Sequence, residues 1–333
     1  MKKIRVAQIG TSIYSHGSQI WKALLEMSEV FEIAGYALPE REREKFPEHM
    51  NLFDGYRQMS VEDILSDGTI EAVFIETEEI YLTKYALMAV KAGKHIHMEK
   101  PGGVGLSDFA LLIEIAKEKG LVFSLGYMFR FNPAIRGAVE LARSGELGKI
   151  YSVEAHMSCH HHKAWRQWLE NFPGGMMFFL GCHLIDLVYR IQGEPSEILP
   201  LSCSTRTEGV CTDDYGMAVF KYDNGISFVK TTDVEVGGSY RRQVVISGEK
   251  GTVEIRPIED DLPGGKHFAV TEYRLHRHGK TEIISKESEP FRRYDAMLYN
   301  FAEMVRGKEN PYTYEYELNL YKLILKTCGE EIK

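Results

Sequence analysis

The first part of the chain alternates short apolar runs with stretches of helical spacing. IRVAQIG (4–10), FEIAGYAL (31–38), IEAVFIET (70–77), KHIHME (94–99) and LVFSLGY (121–127) read as strands. Between them, IWKALLEMS (20–28), VEDILSD (61–67), TKYALMAVKAG (83–93) and LSDFALLIEIAKEKG (106–120) repeat their apolar residues as helices do. The third of these stops at Gly93, and Ser107 is placed to cap the fourth. Strand and helix in this rhythm predict a parallel sheet covered on both faces, with ligands bound beyond the carboxyl ends of its strands. After residue 150 the pattern changes. IYSVEAHMSCHHH, YGMAVFKYDNGISFVKTTDVEV, RRQVVISGEKGTVEIRP and AVTEYRLHRHGKTEIIS predict strands without intervening helices. Asp223-Asn224-Gly225 and the segment Gly248 to Gly251 are hairpin signals. Helical spacing returns at about 175–192 and at about 290–330. The fold class is therefore α/β, with a second α+β part in which a mainly antiparallel sheet follows the parallel one.

Composition narrows the function classes. The 333 residues suffice for two domains; 44% are hydrophobic and 26% charged, as in globular proteins. A net charge of -8 without a basic stripe argues against a nucleic-acid partner. No apolar run reaches membrane-spanning length, so no membrane partner is expected. The opening MKKIRVAQIG has too short an apolar part for a signal peptide and runs into a strand. The odd set of cysteines, at 159, 182, 203, 211 and 328, contains no CxxC pair. A disulfide framework or a four-thiolate zinc site is not expected, and reduced thiols in a cytoplasmic protein are.

The first strand ends in GTSIYSHG (10–17), where a GxGxxG fingerprint would let a pyrophosphate approach a helix N-terminus. Gly10 is present, but Ser12 and Ser15 hold the next two glycine positions, and the second strand ends at Ala37 and Leu38 rather than in an acid for the ribose hydroxyls. Alone, this is an ordinary strand-to-helix turn. Arg41 and Arg43 follow and could meet a 2′-phosphate, but a solvated charged helix is the better explanation for them.

AGKHIHMEKP (92–101) is more specific. It resembles the signature of the glucose–fructose oxidoreductase and inositol dehydrogenase family, Gfo/Idh/MocA. GYMFRFNPAIRGAVELARSGELGKI (126–150) resembles that family's crossover segment, with Arg130 and Pro133 in place. PGGMMFFLGCHLIDL (173–187) resembles its Gly-x-His-x-x-Asp helix, retaining His183 and Asp186, and ISGEKGTVEI (246–255) resembles its late hairpin. The resemblance implies a dinucleotide-binding Rossmann domain over 1–123 and a substrate-binding and oligomerisation domain over 124–333, whose C-terminal helices pack back on the first. It implies NAD or NADP as cofactor, a sugar-like substrate, and a homodimer or homotetramer formed through the open sheet face.

The chemistry the resemblance implies suits these residues. Taking a hydride from a carbinol carbon requires the hydroxyl proton to leave, and a positioned base speeds such a step by ~10²–10⁴. His183 is assigned that role, its imidazole titrating near ~6.5 when unperturbed. Lys100 is assigned to polarise the reacting oxygen. Gly10, Thr11, Ser12 and Ile13 are expected at the pyrophosphate, Ala37 beyond the second strand, and Thr77, Glu79, Glu99, Lys100 and Arg130 elsewhere along the cofactor. Asp186 shares a helical face with His183 and either orients it or belongs to a local network. Gly181 suggests close packing or ligand approach.

Departures from the family are concentrated at the site. Phe179 stands where the family has an Asp four residues before the His, and the family's Thr-Pro-Asn-x-x-His reads TEEIYL (77–82) here. Glu78 and Glu79 would repel a pyrophosphate unless they point away. In EAHMSCHHHKAWRQW (154–168), strand alternation places His156, Ser158, His160 and His162 on one face. Those histidines could bind sugar hydroxyls, supply a base or ligate a metal, or form a polar exposed edge; no carboxylate partner is identifiable, and no metal is assigned. His160, His162, Trp165, Arg166, Phe179 and Asp186 are the substrate-side candidates, Trp165 and Trp168 being equally explicable as packing. The departures leave a second reading: a non-catalytic ligand-binding or regulatory protein on the same scaffold.

Overall fold

The computed structural model describes residues 2–332, which divide into two compact units. The first comprises residues 2–127 and 294–321, the second 128–293 and 322–332. The first unit therefore runs past residue 123 to Tyr127 and takes in most of the C-terminal helical region.

In the first unit, β1 (Ile4–Ile9), β2 (Phe31–Ala37), β3 (Ala72–Ile75), β4 (His95–Met98) and β5 (Phe123–Leu125) form a five-stranded parallel sheet ordered β2-β1-β3-β4-β5. The centre of this sheet is apolar on both faces: Val6, Ala7, Ile9 and all of β3 are buried. Helices α1 (Gly17–Glu26), α2 (Glu42–Lys45), α3 (Val61–Ser66), α4 (Leu82–Lys91) and α5 (Leu106–Glu118) connect the strands. Ser60 caps α3 in a capping box with Asp63. The cap expected at Ser107 falls elsewhere: α5 starts one residue earlier, with Gly105 at the N-cap position. A cluster of Trp21, Tyr36 and Phe53 fills the space under the helical turn Pro47–Phe53.

In the second unit, α6 (Pro133–Arg143) is capped by Asn132, whose Oδ1 accepts the Ala134 and Ile135 N–H groups. There follow β6 (Ile150–His156), α7 (Lys163–Trp168) and α8 (Cys182–Gln192), then β7 (Glu197–Cys203), β8 (Tyr215–Tyr222), β9 (Gly225–Thr232), β10 (Gln243–Gly248) and β11 (Gly251–Ile255). A small hairpin of β12 (Asp260–Leu262) and β13 (Lys266–Phe268) precedes β14 (Val270–Arg277) and β15 (Lys280–Glu287). The main sheet has eight strands in the order β15-β14-β11-β10-β6-β9-β8-β7, antiparallel except where β6 runs parallel to β9. One face is apolar and buried, with Val153, Ala155, Ala218, Phe220, Val229 and Ile246, and α6 and α8 lie against it.

The expected strand alternation through His162 does not hold. β6 ends at His156, Ser158 is buried while His160 and His162 are exposed, and the chain turns into α7 at Lys163. The helix expected from about 175 also begins differently: a π-helical turn, Met177–Gly181, precedes α8. The last helices are α9 (Asp295–Val305) and α10 (Tyr314–Thr327). Among the described residues no helix is long and apolar enough to cross a membrane.

Candidate active site

The carboxyl ends of β1, β3 and β4 bring the predicted cofactor residues of the first unit together. Gly10 has φ +95°, and a Cβ there would lie 2.4 Å from the backbone nitrogen of Thr77, so glycine is required where β1 passes the end of β3. Ser12 N–H donates to the Glu76 carbonyl at 3.0 Å. Ser15 Oγ donates to the Ser12 and Glu76 carbonyls and accepts from Gly17 N–H, closing the loop before α1. The serines in the glycine positions thus knit the loop to β3. Thr11, Ser12, Ala37 and Thr77 are buried, and Ile13 is half-buried.

Acids dominate this region. Thr11 N–H donates to Glu42 Oε2 at 2.9 Å. Glu99 Oε2 accepts His16 N–H at 3.2 Å and lies 3.0 Å from His16 Nδ1, at the N-terminus of α1. A carboxylate there is favoured by the helix dipole. Lys100 is buried; its N–H donates to Glu99 Oε1 at 3.0 Å and its Nζ lies 3.8 Å from the same oxygen. Glu78 pairs with Lys45 at 2.7 Å. Glu76 and Glu79 are fully buried, and none of their four carboxyl oxygens has a hydrogen-bond partner. Burial pushes Glu79 up to about 8 despite the opposing charge of Lys100. Burial likewise raises Glu42 to about 8, against the hydrogen bond from Thr11. Glu76 is raised well above the usual carboxylate range by burial and by the neighbouring Glu99 and Glu79. Glu42 and Glu76 escaped the sequence reading: Glu42 sits in the charged run EREREK, where only its burial separates it from its solvated neighbours.

A dinucleotide fits these residues under one condition. In the stretch that would face its phosphates the Thr11 amide is engaged by Glu42, so that carboxyl group must be neutral or move aside; protonated Glu42 is a weak acceptor that an anion displaces readily. A cleft of about 340 Å³ at the end of β2, lined by Ala37, Leu38, Pro39, Ser60, Lys84 and Tyr85, has the size for a nucleoside.

In the second unit, Arg130 and Asp186 form a buried ion pair, with Arg130 Nε and Nη2 donating to Asp186 Oδ1 at 3.1 and 2.9 Å. Asp186 therefore neutralises Arg130, the residue expected along the cofactor. His183, on the same face of α8, is buried with its ring 5.3 Å from that of Phe129. Phe179 packs edge-on against Trp168 at 5.4 Å and Trp165 at 6.2 Å, which gives it an aromatic role where the family has an acid. Arg166 is buried; its Nη1 donates to the Thr207 carbonyl and to Asp214, and its Nη2 pairs with Glu208, so these donors anchor a loop. His160 and His162 are exposed, Trp165 and Phe179 meet, and Asp186 is held by Arg130. Lys100 belongs to the first unit and His183 to the second.

Comparison with known proteins gives this arrangement a lineage. Residues 4–127 match the oxidoreductase family with an NAD-binding Rossmann fold, and residues 135–254 match the GFO/IDH/MocA C-terminal domain. The chain is 28% identical over 196 residues to the uncharacterized oxidoreductase YhhX of Escherichia coli, covering 58% of this chain and 54% of that one. It is 25% identical over 256 residues to D-xylose 1-dehydrogenase (NADP(+)) 2 of Haloferax volcanii, covering 76% and 75%. The match spans 54% of YhhX and 66% of the 1,5-anhydro-D-fructose reductase of Ensifer adhaerens, about half to two thirds of those relatives. Among solved structures, levoglucosan dehydrogenase in complex with NADH and levoglucosan superposes with a TM-score of 0.80 at 17% identity, covering 98% of both chains. Aldose-aldose oxidoreductase from Caulobacter crescentus superposes at 0.79 and 20% identity, again over 98% of both. At such identities the structural likeness shows the fold. The two family matches, in order along a chain with this Rossmann sheet and this mixed eight-stranded sheet, show that the protein belongs to the Gfo/Idh/MocA family of oxidoreductases.

Proposed function

We propose that the protein transfers a hydride between NAD or NADP and a CH–OH carbon of a sugar, cyclic polyol or sugar derivative. The observation that carries this reading is Lys100: a lysine buried at the carboxyl end of β4 beside Glu99, in the unit that matches the NAD-binding family. Burying an ammonium group is costly, and it is retained where it stabilises developing negative charge. The bound dinucleotide supplies the hydride acceptor or donor. Lys100 donates a hydrogen bond to the reacting oxygen, and His183 takes or returns its proton. Relatives named for sugar chemistry, such as D-xylose 1-dehydrogenase, support this substrate class.

The reading is tested by titrating NADH and NADPH against the protein's tryptophan fluorescence. Saturable binding of at least one at micromolar to millimolar concentration is expected. Failure of both to bind would favour the non-catalytic ligand-binding reading instead. The same proposal includes a cytoplasmic homodimer or homotetramer joined through the open face of the eight-stranded sheet. Leu199, Leu201 and Ile226 on β7 and β9 are exposed there, and an apolar sheet face favours self-association. Light scattering that reports a monomer would remove that part.

A further inference from the structure

Beyond β6, the segment Met157–His161 runs alongside residues 230–235 and is pinned to them. Met157 N–H donates to the Lys230 carbonyl, Cys159 N–H to Thr232, His161 N–H to Asp233, and Glu235 N–H to Cys159. Cys159 and His161 are two apart on this extended segment, so their side chains share a side. Asp233, the residue after β9, meets them from the paired segment. Cys159 Sγ lies 3.1 Å from Asp233 Oδ1 and 3.5 Å from His161 Nδ1, and His161 Nδ1 lies 2.5 Å from Asp233 Oδ1. Asp233 is fully buried, and its second oxygen, Oδ2, has no hydrogen-bond partner. The His161 ring is stacked on Trp165 with centroids 4.3 Å apart, which holds its plane.

We propose that Cys159, His161 and Asp233 bind a divalent transition-metal ion of the zinc class. Thiolate, imidazole and carboxylate are the donors zinc takes, at bond lengths of about 2.0–2.3 Å. Donors around a tetrahedral ion of that size stand roughly 3.3–3.7 Å apart by the same lengths. The two sulfur contacts are already close to that spacing, and the imidazole–carboxylate contact opens by less than about 1 Å. A thiolate and a carboxylate together neutralise a divalent cation, which would compensate the charge of the fully buried Asp233. The alternative for such a trio is a nucleophile relay, in which cysteine and acid lie on opposite ring nitrogens. Here the same Nδ1 faces both sulfur and carboxylate, so the three groups converge on one point. Three protein ligands leave a fourth position for water, and His161, with 31% of its side chain exposed, gives solvent access. The residues differ from the face His156, His160 and His162 that alternation singles out.

The test uses the full-length protein, stripped with a chelator and titrated with Zn²⁺ against a chromophoric competitor, then with Co²⁺. One tight equivalent of Zn²⁺ and a sulfur-to-cobalt charge-transfer band are expected. Cys159→Ser should abolish the band and Asp233→Asn should weaken Zn²⁺ binding at least about tenfold, a loss that even outer-shell changes can cause. Cys203→Ser/Cys211→Ser and His160→Ala/His162→Ala should leave both signals intact. Should Asp233→Asn fail to fold, Cys159→Ser with an unchanged circular dichroism spectrum decides. Absence of stoichiometric Zn²⁺ binding by the wild type overturns the site, as does a band that survives Cys159→Ser or disappears with the exposed cysteines or histidines.

Discussion

Glu42 and Glu79 are carboxyl groups that the fold holds protonated near neutral pH, both raised to about 8 with burial as the main cause. In the unfolded chain a glutamate titrates near about 4.3. Between those values the native state holds more protons than the unfolded state, so stability falls as pH rises from about 4.5 through about 8 and levels off above. Each group contributes on the order of a few kcal/mol to that fall. Thermal unfolding from pH 5 to pH 9 should show the melting temperature declining, and Glu42→Gln/Glu79→Gln should flatten the decline and raise stability at the alkaline end. A melting temperature that rises across the window would contradict the burial of neutral acids. Because ionised Glu42 competes for Thr11 N–H and repels phosphate, dinucleotide affinity should weaken over the same upper range, and less so in Glu42→Gln. Glu78, Glu40 and Lys45 share the field at Glu42, and the Glu78–Lys45 pair limits the change in total charge.

At the scale of the element, periodicity carried most of the information, and departures arose where local chemistry competes with it. Most strands of both sheets were legible because apolar positions repeat every second residue or run unbroken through β3, but the edge strand β7 was not predicted. The alternation after β6 misled because the segment stays hydrogen-bonded to residues 230–233 beyond His156 but loses its alternation, Met157, Ser158 and Cys159 all being buried. Cys159, His161 and Asp233 were hidden because their meeting depends on pairing between segments more than seventy residues apart. The Asp223-Asn224-Gly225 turn was legible in place but not in cause. β8 and β9 pair Tyr222 with Gly225, and no turn residue has positive φ. Glycine is there because a Cβ would stand 1.9 Å from the Tyr151 carbonyl on β6. Gly225→Ala should therefore cost about 1–3 kcal/mol or more by forcing those backbones apart. Chemical denaturation with an unchanged midpoint would show that the strands give way freely.

At the scale of the whole molecule, the Lys100 and His183 motifs were the most specific sequence signals, since each is embedded in a run that resembles a family pattern. The acid-rich ends of β1 and β3 were the least legible, because sequence cannot tell a solvated glutamate from one buried without a partner. In the proposed reaction Lys100 acts on an oxygen as a hydride moves, and His183 handles the proton. Turnover of a panel of sugars and polyols, followed by the absorbance of the reduced nicotinamide in the wild type, Lys100→Met and His183→Ala, tests this most directly. On any substrate the wild type accepts, each variant is expected to lose kcat by about 10²-fold or more while still binding the dinucleotide. A kcat in either variant equal to the wild type's would contradict that residue's assigned role.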